Sequence, residues 1–135
     1  MSQILLIEDN AGDILAIRKV ISELTPATKV SVAIDGEQAI RILADPGFKA
    51  DLIILDLNIP KVPGIAVLAR CKPAAPVVIF SSSSNPAEIE RAKELGVREF
   101  VRKPIDFDEF SNVVTRVVRE WIEPSASGAA GGQTD

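Results

Sequence analysis

The fold of this chain is decided by the stretch Asp51-Leu52-Ile53-Ile54-Leu55-Asp56-Leu57-Asn58-Ile59-Pro60. The unbroken apolar run before Asp56 is typical of a strand that is buried on both faces, as in a parallel sheet. Such a strand brings its last residue to the carboxyl-end edge of the sheet, where open α/β folds bind their ligands. Asp56 is therefore either a chemical centre or an aspartate that caps a following helix. This stretch alone leaves both interpretations open.

The composition of the 135 residues limits the fold and the class of function. Hydrophobic residues make up 47% and aromatic residues only 4%, which predicts one domain with an aliphatic core. The net charge of −4, without a basic run, argues against nucleic acid as a partner, and the apolar runs are too short to span a membrane. One cysteine, Cys71, and no histidine exclude an internal disulfide and any histidine site, and favour a cytoplasmic protein.

Strand and helix patterns alternate five times along the chain. Apolar runs predict strands at Gln3–Ile7, Lys29–Ile34, Leu52–Leu55, Pro76–Phe80 and Val97–Val101. The intervening segments have helical periodicity, and the last predicted helix is stopped by Pro124. This alternation predicts a parallel sheet with helices on both faces, formed by residues 1–123. Residues 124–135 are rich in Gly, Ala and Ser, which indicates a flexible tail.

Polar side chains follow four of the predicted strands, at the point where each strand ends. Glu8 and Asp9 follow the first strand, Asp56 the third, Ser81 the fourth and Lys103 the fifth. Because parallel strands end at one edge of a sheet, these groups are expected to share that edge. If the strand order is 2-1-3-4-5, the first and third strands are neighbours, and the three carboxylates crowd together.

Three crowded carboxylates repel one another, and a divalent cation relieves that repulsion. Oxygen ligands without Cys or His suit Mg²⁺, with Mn²⁺ as a second choice. Ser81 offers a hydroxyl and Lys103 a mobile cation, which are both suited to phosphoryl oxygens. The predicted chemistry is attack by the Asp56 carboxylate on a phosphoryl group, which gives an acyl phosphate.

The four motifs, in this order, resemble the receiver domain of two-component response regulators. They are the acidic pair Glu8-Asp9, the acceptor segment Asp56-Leu57-Asn58-Ile59-Pro60, the hydroxyl pair Ser81-Ser82 and the dipeptide Lys103-Pro104. Each motif alone is weak evidence for this family, but the four together in this order are specific to it. The resemblance covers Gln3 to about Ile122. It implies a flavodoxin-like, doubly wound, five-stranded parallel sheet of order 2-1-3-4-5 and, because no output domain follows, a stand-alone receiver.

The resemblance also implies a role for each site residue. Asp9 and Asp56 would bind Mg²⁺ directly, together with the backbone carbonyl of Asn58, while Glu8 would lie in the outer shell of the metal. Ser81 would contact the phosphoryl group, and Lys103 would be its counter-ion.

Two further features are implied by the resemblance. The Lys103–Pro104 bond is expected to be cis, and Phe100 is either a switch aromatic that turns inward or ordinary core. The sequence departs from the family pattern at Pro63 before Gly64, at Ser81 in place of the commoner threonine, and in a shortened third helix.

The function implied is a phosphorylation-controlled binding module. It would take its phosphoryl group from a phosphohistidine of a partner histidine kinase and signal to an unknown downstream protein, without enzymatic activity beyond slow self-dephosphorylation. The chain is also similar to receivers that are paired with bacterial phytochrome-type kinases.

The sequence leaves two other functions open. One is a pseudo-receiver that serves only as a docking scaffold. The other is a phosphatase of the haloacid-dehalogenase type, although that class needs an acid where this chain has Asn58. The broad apolar stripe of the last helix, which includes Trp121, also suggests a homodimer or a partner contact.

Overall fold

The computed structural model describes residues 2–83 and 85–122, in which strands and helices alternate along the chain. The five strands are β1 (Gln3–Ile7), β2 (Lys29–Ala33), β3 (Leu52–Leu55), β4 (Val77–Ser81) and β5 (Glu99–Arg102). The five helices are α1 (Ala11–Leu24), α2 (Gly36–Ala44), α3 (Gly64–Cys71), α4 (Pro86–Glu94) and α5 (Phe107–Trp121). Pro124 and the predicted tail at 124–135 lie outside the described residues.

The strands form one parallel sheet in the order β2-β1-β3-β4-β5, so the predicted flavodoxin-like topology is confirmed. All four residues of β3 are buried, as its unbroken apolar run predicts. β1 and β3 are neighbours in the sheet, and Ile7 lies opposite Leu55. The residues that follow these two strands therefore emerge side by side.

Alternate residues of the strands supply two cores, one on each face of the sheet. On one face, Ile4 and Leu6 of β1 pack with buried residues of α1 and α5, and the rings of Phe80 and Phe110 meet edge to face at 4.9 Å. On the other face, Leu5 and Ile7 pack with buried residues of α2, α3 and α4. With both faces covered by helices, the polar residues at the strand ends are left at the edge of the sheet.

Asp56 does not cap a helix, which decides the first question raised by the sequence. The helix after β3 begins at Gly64, its N-cap is Pro63, and no side chain caps it. The helix is eight residues long, in agreement with the shortened third helix that the sequence predicts. Helix caps are supplied instead by Asn10, Asp35, Asn85 and Asp106.

Two expectations about the end of the domain need adjustment. β5 begins at Glu99, two residues later than predicted, because the N–H of Val97 still bonds to the carbonyl of Ala92 at the end of α4. Apart from the exposed Phe107, the apolar residues of α5 pack on the core of the chain itself, including the partly buried Val113 and Trp121. The breadth of this stripe therefore has an internal explanation, and the homodimer stays an untested prediction.

Among the described residues, no helix combines the length and the apolar character that crossing a membrane requires.

Candidate functional site

Asp56 follows β3 directly, and both of its carboxylate oxygens are bound. Oδ1 accepts hydrogen bonds from the Ser81 hydroxyl at 3.0 Å and from the backbone N–H of Asn58 at 3.0 Å. Oδ2 accepts from the ammonium of Lys103 at 2.9 Å. The residue is only 6% exposed. The sheet and its loops therefore hold this carboxylate in one orientation at the edge of the sheet.

Glu8, Asp9 and Asp56 form an acidic cluster at this edge. One carboxylate oxygen from each residue lies within 4.8 Å of the other two. Glu8 is buried and Asp9 is exposed, so the cluster opens to solvent on one side. Carboxylate oxygens alone suit a hard divalent cation, and Mg²⁺ characteristically combines one or two carboxylates with water and phosphate. The residues present therefore fit Mg²⁺ or Mn²⁺.

The ammonium of Lys103 lies among three carboxylates. It donates to Glu8 at 2.7 Å, to Asp13 at 2.8 Å and to Asp56 at 2.9 Å. The Lys103 side chain is 12% exposed, so these bonds are largely shielded from solvent. Asp13, in the first turn of α1, is not among the site residues that the sequence predicts. An acid in the first turn of a helix is ordinary, and no local signal pairs it with Lys103.

Burial and charge shift the ionisation of two of these groups. Burial raises the pKa of Glu8 to about 7, and the hydrogen bonds from Lys103 and from the N–H of Asn10 offset only part of that rise. Burial by itself would lower the pKa of Lys103, but its hydrogen bonds to Asp13, Glu8 and Asp56 outweigh that effect and raise it above the ordinary value. Lys103 is therefore a permanent cation at this site.

The loop after β4 is tied to the Asp56 carboxylate through Ser81. The Ser81 hydroxyl also accepts a hydrogen bond from the backbone N–H of Ser83 at 3.3 Å, and the side-chain amide of Asn58 lies 3.5 Å away. The Ser83 hydroxyl in turn bonds to Glu88 in α4. A change at Asp56 thus has a short path of hydrogen bonds to the start of α4.

Phe100 lies on β5 opposite Ile79 and packs, partly buried, against the core under α2, α3 and α4. This position agrees with ordinary core, and the switch role remains a prediction.

The predicted cis bond between Lys103 and Pro104 is wrong, because no peptide bond within the described residues is cis. The trans form of an X–Pro bond is favoured by about 0.5–1 kcal/mol. The site makes no demand that overrides this preference, since the N–H of Lys103 bonds to the Ser81 carbonyl at 2.9 Å and its side chain reaches all three carboxylates.

Residues 4–115 match the family described as the response regulator receiver domain. The chain is 35% identical over 104 residues to protein-glutamate methylesterase/protein-glutamine glutaminase 3 of Geobacter sulfurreducens, covering 76% of this chain but only 28% of that protein. It is 29% identical to response regulator Rcp1 of Synechocystis sp., covering 94% of this chain and 93% of that protein.

Solved structures agree with these sequence matches. The phosphorylated cyanobacterial phytochrome response regulator RcpA superposes with a TM-score of 0.85 and 29% identity, covering 93% of this chain and 96% of that one. The Mn²⁺-bound form of Rcp1 gives a TM-score of 0.85 and 28% identity, covering 96% of this chain and all of that one.

Proposed function

The chain belongs to the family of response regulator receiver domains, and from that premise we propose that it is a phosphorylation-controlled binding module with Asp56 as its acceptor. One observation carries the proposal. The Asp56 carboxylate is held by a hydroxyl, a backbone amide and an ammonium, beside the carboxylates of Glu8 and Asp9. A nucleophile, a cation-binding cluster and a counter-ion are the groups that phosphoryl transfer to a carboxylate requires.

In the transfer step, an oxygen of Asp56 forms a bond to phosphorus while the bond between phosphorus and the donor breaks. Ser81 and the N–H of Asn58 fix the orientation of the carboxylate, so little ordering remains to be done when the donor arrives. The Lys103 ammonium lies 2.9 Å from the acceptor carboxylate. It can therefore shift its hydrogen bond from Asp56 to the phosphoryl oxygens and stabilise their negative charge during the transfer.

Asp9 and Asp56, together with the backbone carbonyl of Asn58, would hold Mg²⁺, with Glu8 in its outer shell. When bound, the cation would neutralise charge on the phosphoryl oxygens. The oxygen-only ligand set and the Mn²⁺-bound form of the related Rcp1 support this assignment. The same carboxylates would also accept Mn²⁺.

The donor would be a phosphohistidine on a partner histidine kinase, since this chain has no histidine of its own. The phytochrome response regulators among the similar structures favour a phytochrome-type kinase. Ile105, in the loop that follows β5 at this edge of the sheet, is fully exposed and would offer an apolar contact to the kinase.

The acyl phosphate would act by shifting the equilibrium between two surface states, which an unknown downstream protein reads. The hydrogen bonds from Ser81 through Ser83 to Glu88 would carry the change to α4, and Phe100 on β5 is the second candidate switch residue. The domain would comprise residues 1–123. We place the exchange in the cytoplasm, where the free thiol of Cys71 would persist.

The proposal is tested by incubating the full chain with acetyl phosphate, with and without Mg²⁺, and recording its intact mass. The expected result is one phosphoryl adduct that requires Mg²⁺ and is absent in Asp56→Asn. The matched control is Asp108→Asn, which alters an exposed acid at the start of α5 and should leave the adduct in place. An adduct that persists in Asp56→Asn would overturn Asp56 as the acceptor.

If the unaltered chain takes up no phosphoryl group from acetyl phosphate or any other small donor, the docking-scaffold alternative is favoured instead. The phosphatase alternative predicts turnover, in which phosphate accumulates to many equivalents per chain. The receiver predicts only slow release, limited by hydrolysis of the acyl phosphate.

A further inference from the structure

Asp13 contacts the ammonium of Lys103 but is not part of the acidic cluster of Glu8, Asp9 and Asp56. We propose that Asp13 is a positioning residue, which holds Lys103 when a divalent cation takes over the carboxylates of that cluster. This inference rests on the proposed function, because it assumes that the cluster binds Mg²⁺.

The geometry of Lys103 gives the first argument. An ammonium has three N–H donors, and here each of them meets a different carboxylate. Glu8 and Asp56 belong to the cation-binding cluster, so a bound cation competes with Lys103 for their oxygens. Among the described residues, Asp13 is the one carboxylate on the Lys103 ammonium that lies outside this cluster.

The start of α1 gives the second argument. Asp13 is the third residue of the helix, a position from which an acidic side chain commonly reaches back to the N–H of the N-cap residue. In this chain the N–H of the N-cap, Asn10, donates instead to Glu8 at 3.1 Å. The carboxylate of Asp13 is thereby released from capping and turns to Lys103, while its own N–H is fixed by the Asn10 side chain at 2.9 Å.

A role limited to the helix dipole is the structural alternative for an acid at this position. Such a residue needs only to lie near the helix start, with its carboxylate in solvent. The Asp13 side chain is instead 28% exposed and forms a 2.8 Å ion pair with a lysine ninety residues away in the chain. The contact therefore joins α1 to the residue that follows β5.

Charge determines the expected effect on cation binding. Lys103 repels an incoming Mg²⁺, and its bonds to Glu8 and Asp56 weaken as the cation draws on the same carboxylates directly or through water. The carboxylate of Asp13 compensates that loss. Without this carboxylate, the ammonium either stays in competition with the cation or loses its last partner. Asp13→Asn should therefore weaken Mg²⁺ binding by about three- to tenfold, since an ion pair shielded from solvent is worth more than an exposed one.

The experiment is calorimetric titration of the full chain with Mg²⁺. The unaltered chain is compared with Asp13→Asn, with Asp13→Glu, and with Glu23→Gln as a control that removes an exposed charge from the same helix. We expect weaker binding only in Asp13→Asn, with Asp13→Glu restored to within about twofold of the unaltered chain because it keeps the charge. Circular dichroism verifies that each variant is folded.

A thermodynamic cycle with Lys103→Met separates positioning of the lysine from plain attraction between Asp13 and the cation. Lys103→Met should bind Mg²⁺ more tightly than the unaltered chain, because the competing ammonium is gone. In the Lys103→Met background, adding Asp13→Asn should lower the Mg²⁺ affinity by less than about twofold. Equal losses in both backgrounds would overturn the positioning role, and so would unchanged affinity in Asp13→Asn. Absence of Mg²⁺ binding by the unaltered chain would overturn the metal assignment of the proposed function, and the inference with it.

Discussion

The hydroxyl of Ser81, at the end of β4, donates a 3.0 Å hydrogen bond to the carboxylate of Asp56, at the end of β3. Both residues are buried, Ser81 completely and Asp56 to all but 6%. A buried hydroxyl that bonds to a charged oxygen is held more firmly than one in a neutral pair. The two strand ends are thereby joined at the carboxylate where the proposed phosphoryl transfer takes place.

Ser81→Ala should slow formation of the acyl phosphate several-fold and weaken its effect on α4. The substitution removes the donor that orients Asp56 and the oxygen that accepts from the N–H of Ser83. Removal of one such donor from a charged acceptor costs about 1–3 kcal/mol. Phosphorylation by acetyl phosphate, followed by mass, and hydrogen exchange of the amides of α4 measure the two effects.

Two controls accompany this prediction. Ser81→Thr keeps the hydroxyl and should retain most of the rate. Ser82→Ala removes a hydroxyl from the exposed neighbour and should change neither readout. Equal behaviour of the Ser81→Ala and Ser82→Ala variants would contradict the role given to Ser81.

Gly36, the first residue of α2, is packed against the loop that follows Asp56. Its N–H donates to the carbonyl of Pro60 at 3.0 Å, and a β-carbon at this position would lie 2.1 Å from the carbonyl oxygen of Val62. Gly36→Ala must therefore displace backbone, and we expect it to lower the free energy of unfolding by about 1–3 kcal/mol. It should also slow phosphorylation, because the displaced loop carries Asn58.

Urea unfolding measures the effect on stability. Gly47→Ala is the matched control, since the nearest atom to a β-carbon there is a flexible carboxylate oxygen at 3.4 Å. If the two alanine variants unfold at the same urea concentration, the contact between α2 and this loop is looser than the structure indicates.

Lys72, which ends α3, has a left-handed backbone conformation with φ 42° and ψ 58°. Glycine adopts this conformation without the steric cost that a β-carbon imposes, and it is the commonest residue at such helix ends. Lys72 is exposed, so its side chain contributes little that glycine would lose. Lys72→Gly should therefore raise the free energy of unfolding by about 0.5–1 kcal/mol.

The control for this prediction is Lys93→Gly, which places glycine at an exposed position inside α4. That substitution should lower the free energy of unfolding by about 1 kcal/mol, because glycine loses more backbone conformational entropy than lysine when the helix forms. Thermal or urea unfolding of both variants gives the comparison. A loss of stability in Lys72→Gly similar to that in Lys93→Gly would show that the left-handed conformation carries no strain.

The sequence predicted the sheet because its signal is local and strong. The apolar runs of four residues before Asp56 and before Glu8 both require burial on two faces, which few arrangements other than a parallel sheet provide. The strand order then brings the polar residues that follow these strands to one edge. The core of the site was predictable for this reason.

The features that sequence reasoning missed depend on distant contacts. Asp13 has the pattern of an ordinary first-turn acid, and only the position of Lys103, ninety residues away, gives it another role. The contact of Gly36 with Val62 depends on the path of a loop. The trans bond at Pro104 keeps the small intrinsic preference of an X–Pro bond, and whether a site overrides that preference cannot be read from local sequence.

The buried carboxyl of Glu8 should make the stability of the domain depend on pH when no divalent cation is present. Its pKa is raised by burial from 4.5 to about 7, so near neutral pH the folded chain binds a proton that the unfolded chain does not. Because the folded chain binds this proton more tightly than the unfolded chain does, proton uptake by Glu8 stabilises the fold increasingly as the pH falls through about 7. The stabilisation stops growing below about pH 4.5, where the unfolded chain is protonated as well. Between pH 8 and pH 6 the free energy of unfolding should rise by about 1 kcal/mol on this account.

The measurement is urea unfolding in the presence of a chelator at pH 8, 7 and 6, for the unaltered chain and for Glu8→Gln. The glutamine variant cannot take up the proton, so its stability should gain about 1 kcal/mol less over this range. Glu23→Gln, an exposed position on α1, should follow the unaltered chain. The difference in the free energy of unfolding between the unaltered chain and Glu8→Gln could instead stay constant from pH 8 to pH 6. That result would mean that Lys103 keeps Glu8 ionised over this range, and that burial does not control its titration.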